Sequence, residues 1–97
     1  MKTAILRGRE IADKGALHSL LARQLDFPDY YGGNLDALYD LLTETAEPIR
    51  IVIADPEALA ENLGGYYDVF RAVLRDAGED NGNVTVSLET LDSPDEA

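Results

Sequence analysis

The stretch Ile49-Arg50-Ile51-Val52-Ile53, followed after Ala54 by Asp55-Pro56-Glu57, sets a β-branched run directly before a proline that can open a helix. Four of the first five residues, all but Arg50, have the stiff, branched side chains that suit a pleated strand. Asp55 is a capping residue type, and Pro56 suits the first helical position, where a backbone N–H is not needed. Downstream, a short helix is expected to about Leu63, with Gly64-Gly65 separating it from a longer one. Tyr66, Val69, Phe70, Val73, Leu74 and Ala77 would form the apolar stripe of that longer helix. Gly78 to Gly82 reads as a turn, and Val84 to Leu88 alternates as a last strand.

Upstream, Pro48 closes a helix that starts at the Asn34 cap and runs to about Glu44, with Leu35, Leu38 and Leu42 facing a core. Before it, Asp26 to Gly33 is an irregular loop broken by Pro28 and a glycine pair. Asp13 can cap a helix from near Lys14, in which Leu17, Leu20, Leu21 and Leu25 recur at helical spacing. Lys2 to Leu6 is a short strand ended by Arg7-Gly8-Arg9. The order is strand, two helices, strand, two helices, strand. Helical crossovers between strands imply parallel pairing. The expectation is an α/β fold, a three-stranded parallel sheet packed by about four helices, with one domain over residues 1–91 and an acidic, frayed tail over 92–97.

Ninety-seven residues suit a single domain, and 45% hydrophobic content supports a modest core. The chain has no cysteine, so disulfides and thiol chemistry are excluded. A single histidine, His18, offers no metal site, and its expected place is a helix surface or a half-buried position. The N-terminus has no apolar run of signal-peptide length and no segment is long enough to span a bilayer, so an intracellular, cytoplasmic protein is expected. The 19 acidic and 8 basic residues give a net charge of −11, which opposes binding to nucleic acid or to an anionic membrane. No serine lies in a nucleophile-elbow pattern, and neither glycine pair follows a strand as a phosphate loop would. Asp36 and Asp40 could pair as acid and base only in a buried cleft, and they lie on an outward helical face. Neither an enzyme nor a cofactor is therefore expected.

The acidity is concentrated. Between Arg23 and Arg50 there is no lysine or arginine, while Asp26, Asp29, Asp36, Asp40, Glu44 and Glu47 all fall there. Asp36 and Asp40 sit one helical turn apart, an arrangement that costs a helix roughly 0.2–0.5 kcal/mol. Three of the five tyrosines, Tyr30, Tyr31 and Tyr39, crowd around them. Tyrosines beside charges are the composition of protein-binding surfaces, here one suited to an electropositive protein.

The run Tyr30-Tyr31-Gly32-Gly33-Asn34-Leu35-Asp36-Ala37-Leu38-Tyr39-Asp40 resembles the signature of the barstar family, intracellular inhibitors of secreted ribonucleases. Ala16-Leu17-His18-Ser19-Leu20, Leu25-Asp26-Phe27-Pro28-Asp29 and Asp68-Val69-Phe70-Arg71 extend the likeness, which covers residues 2 to 89. The resemblance implies that the second helix and the loop before it plug a ribonuclease active site. Asp40 would take the place of substrate phosphate, and Tyr30 would pack on the catalytic histidine. Asp36 would engage an arginine near the base-recognition loop, supported by Gly32, Asn34 and Leu35. Tyr31 and Glu44 are further partner-binding candidates, and Tyr39 stands where the family has a tryptophan; Glu44 and Thr45 fall where the likeness places a glycine and a tryptophan. Glu47 matches a rim glutamate that faces a lysine of the enzyme. Ala72 falls where the likeness places a partner-facing glutamate, so the rim differs. The implied partner is a basic, extracellular-type ribonuclease, barnase-like or otherwise guanyl-preferring, bound by a protein monomeric when free. The alternative is a barstar-like module that binds a basic non-nuclease protein. Electrostatic steering follows from the charge, the barnase–barstar pair being itself a reference case for that rule.

Overall fold

A computed structural model describes residues 1–89; the expected tail over 92–97 lies outside the described residues. The elements are β1 (Lys2–Arg7), a turn of 3-10 helix (Gly8–Glu10), α1 (Lys14–Gln24), α2 (Leu35–Glu44), β2 (Ile49–Ala54), α3 (Pro56–Leu63), α4 (Gly65–Asp80) and β3 (Val84–Glu89). The three strands form one parallel sheet in the order β1-β2-β3. The expected α/β architecture is therefore the observed one.

In-register rows build the core. Ala4, Ile51 and the partly buried Val86 align across the sheet, and Leu6 aligns with Ile53, while Leu88, next in that row, is exposed. As the central strand, β2 buries every residue but Arg50, which explains its nearly continuous apolar run. Against the sheet pack Leu17 and Leu21 of α1, Leu38 and Leu42 of α2, Leu59 of α3, and Phe70 and Leu74 of α4. Each such burial contributes roughly 1.5–3 kcal/mol relative to exposure. The outer edge of β1 is covered by one side chain: Gln24 accepts from the Ile5 N–H at 2.7 Å and donates to the Ile5 carbonyl at 3.1 Å. That amide supplies the hydrogen bonds of a missing strand.

Three details differ from expectation. The fourth helix continues through Gly78 to Asp80 instead of turning there. Gly78 lies where the chain returns to β3, with the Val84 carbonyl at ordinary contact distance, 3.4 Å, from the place of a Cβ. Asn81 ends the helix, and its side chain donates to the Leu42 and Thr45 carbonyls at the end of α2. The buried stripe of α4 is Tyr67, Phe70, Leu74 and Ala77, while Val69 is 53% exposed, because α2, α3 and the sheet meet the helix on a slightly rotated face. Asp55 does not cap α3 with its side chain; its backbone is left-handed (φ 58°) and its carboxylate binds Arg9 instead.

Candidate protein-binding face

The acidic stretch is shaped by how α1 ends and α2 begins. Asp26 adopts φ 58°, and the Phe27 N–H returns to the Ala22 carbonyl at 2.9 Å, closing α1. The Tyr31 N–H then bonds the Pro28 carbonyl at 3.0 Å, so residues 28–31 turn back on themselves. Gly33 takes φ 70°, a conformation that favours glycine, and delivers the chain to Asn34. The Asn34 side chain accepts from the Ala37 N–H at 2.8 Å, the expected cap of α2.

This turn separates the two adjacent tyrosines. Tyr30 points outward and is 83% exposed. Tyr31 points inward, its ring 4.9 Å from that of Phe27 and its hydroxyl 2.5 Å from His18 Nδ1. Tyr30, Tyr31, Gly32, Asp40 and Glu44 meet, with Ala37 and Leu41, around one groove of about 250 Å³. Asp36 opens instead onto an adjoining groove of about 260 Å³, together with Asn34, Leu35, Lys14 and Tyr66. Gly32 could not gain a side chain freely, since a Cβ would come within 3.1 Å of Asn34 Nδ2.

Asp36 and Asp40 are exposed, and among the described residues neither side chain has a hydrogen bond or an ion pair. Other acids are occupied. Asp13 caps α1 through the Ala16 N–H, and Asp55 pairs with Arg9. Glu47 lies beyond the end of α2 and sits 3.4 Å from Lys2 Nζ, apart from the groove that holds Asp40.

Tyr39 is half-buried and donates its hydroxyl to the Asp80 carboxylate, bridging α2 and α4. That hydrogen bond, with lesser contributions from burial and from Asp80, Asp76 and Asp40 as charges, raises the phenol above its usual range. The fourth helix thus brings Asp76 and Asp80 beside α2, a contribution the sequence reading missed. Its signal was present: Asp76 and Asp80 repeat the i, i+4 spacing of Asp36 and Asp40.

His18 is buried, 3% exposed, and not on a helix surface. Its Nε2 lies 2.7 Å from the Tyr66 hydroxyl. Burial, and secondarily the charge of Lys14, lowers its pKa below the ordinary 6.5. Among the described residues no helix is long and apolar enough to cross a membrane.

The family model described as Barstar (barnase inhibitor) matches residues 1–91. The chain belongs to the barstar family. It is also 41% identical over 81 residues to a Bacillus subtilis (strain 168) protein named "Putative ribonuclease inhibitor YrdF", covering 82% of this chain and 89% of that one. The barstar family is one of proteinaceous inhibitors and not of enzymes.

Proposed function

We propose that this barstar-family protein inhibits a small, basic ribonuclease in the cytoplasm by seating α2 and the preceding loop in the enzyme's active site. The observation that carries this reading is the pair of exposed carboxylates, Asp36 and Asp40, without a hydrogen bond or ion pair among the described residues, Asp40 sharing a groove with the outward-facing Tyr30. Asp40 stands in for substrate phosphate and accepts charge-assisted hydrogen bonds from cationic groups of the enzyme. Asp36 engages a second cationic group, and Tyr30 is the aromatic anchor. Gly32, Asn34 and Leu35 fit the loop to the enzyme, while Tyr31, Tyr39, Glu44 and Glu47 frame the centre. The net charge of −11 draws a cationic partner in and repels nucleic acid. Free protein is monomeric, and the interface has ordinary inhibitor size, about 1,600 Å² in total.

A second reading, a module that binds a basic non-nuclease protein, is favoured by one observation. Glu47 is engaged by this chain's own Lys2, and so the rim differs from an open acidic one. Titration against a panel of basic, guanyl-preferring ribonucleases separates the two. Stoichiometric loss of activity in at least one enzyme is expected for the inhibitor. Full activity across the panel at excess protein rejects that reading and leaves the second.

A further inference from the structure

His18 is the buried polar side chain of the described core, and its ring joins two parts of the chain far apart in sequence. Nδ1 is 2.5 Å from the hydroxyl of Tyr31 in the loop, and Nε2 is 2.7 Å from the hydroxyl of Tyr66 in α4. A neutral imidazole has one donor and one acceptor, so one tyrosine accepts from the ring while the other donates to it. Both ring nitrogens are satisfied in a site where an unpaired polar group would be costly. The ammonium of Lys14 lies 5.4 Å from the centre of the Tyr66 ring, which fixes that ring from the solvent side. Phe27 packs edge-on against Tyr31 from the other direction.

The consequence falls on the loop. After Tyr31 come Gly32 and Gly33, which have no side chains with which to anchor the backbone. Tyr31 is therefore the last firm attachment before the Asn34 cap, and its neighbour Tyr30 takes its outward direction from it. We propose that His18 is a positioning residue for the binding loop, a latch tying Tyr31 to α4 through Tyr66. It holds Tyr30 and the groove beside Asp40 in their binding shape before a partner arrives. The partner then does not have to order the loop, which strengthens association without a contact of its own. This inference rests on the reading of the loop and α2 as the binding face.

The test uses the full chain with His18→Phe, which keeps a ring and removes both nitrogens, and His18→Gln, which restores a donor and an acceptor. Amide hydrogen exchange of residues 29–33 is measured in the free protein, and affinity for whichever panel ribonuclease is inhibited. Exchange over 29–33 is expected to quicken about tenfold in His18→Phe, with core amides of β2 unchanged and with recovery in His18→Gln. Affinity should fall about three- to tenfold. Combining His18→Phe with Tyr31→Phe should cost no more than either change alone, since both break one linkage. Wild-type exchange over 29–33 in His18→Phe overturns the latch, and so does an affinity loss in the double variant equal to the sum of the two. If His18→Phe does not fold, Tyr66→Phe replaces it under the same criteria. The exchange arm needs no partner, so a panel with no inhibited enzyme removes the inhibitor reading while the latch is still decided.

Discussion

Two acidic regions of this molecule use the same residue type in opposite ways. At the junction of β1 and α3, Asp55 is only 14% exposed at its side chain and is paired with Arg9. The backbone there is equally committed: Gly8 packs so closely that a Cβ would lie 2.2 Å from the Asp55 carbonyl oxygen, and Asn62 donates to the Gly8 and Ile11 carbonyls. On α2, Asp36 and Asp40 are exposed, lie one turn apart and have neither hydrogen bond nor ion pair among the described residues. The first region uses charge to hold the fold. The second keeps like charges together at a small cost to its own helix, which suits a surface whose counter-charges belong to another molecule.

The sharpest way to break this comparison is to remove one carboxylate from each region. Asp40→Ala should weaken inhibition by about 2–5 kcal/mol, a range for which barnase–barstar charge pairs are themselves a reference case, with an unchanged unfolding midpoint. Unfolding curves and inhibition titrations on the same sample measure both. Gly8→Ala should lower stability by about 1–3 kcal/mol through overpacking, while the folded fraction inhibits as before. Asp55→Ala should cost about 1 kcal/mol of stability, because alanine is poorly suited to the left-handed backbone there, again without effect on inhibition.

The smallest effect concerns His18, which belongs with the fold and not with the exposed charges. Its folded pKa is lowered, by burial first and then by Lys14; the tyrosines Tyr31 and Tyr66 also face it. The unfolded chain therefore takes up the proton first as pH falls. His18 therefore costs no stability above pH 6.5, and its cost is expected to grow as pH drops from there through the folded pKa. Urea unfolding of His18→Gln should show a shallower decline across that window than the native chain.

Much of this was legible in the sequence because it is local. The β2 run, the Asn34 and Asp13 caps and the glycine-rich break before α2 all depend on neighbouring residues, and the structure has them where periodicity put them. What escaped depends on residues distant in the chain. The inward turn of Tyr31 meets His18 and Phe27, and the end of α4 past Gly78 meets the end of α2 through the Asn81 side chain. The meeting of Tyr39 with Asp80 spans 41 positions and follows from packing α2 on α4, not from any local pattern. Asp36 and Asp40 share a helical face in the sequence, yet they open onto separate grooves.

The claim that α2 holds its charges for a basic partner is tested most directly by association kinetics with an inhibited ribonuclease. Stopped-flow rates are compared for the native chain and an Asp36→Asn, Asp40→Asn double variant, which keeps shape and removes charge, over a series of salt concentrations. The native rate should be high in low salt and fall steeply as ionic strength rises, and the variant should associate more slowly with a flatter salt dependence. Equal rates and equal salt dependence for the two proteins would contradict the account.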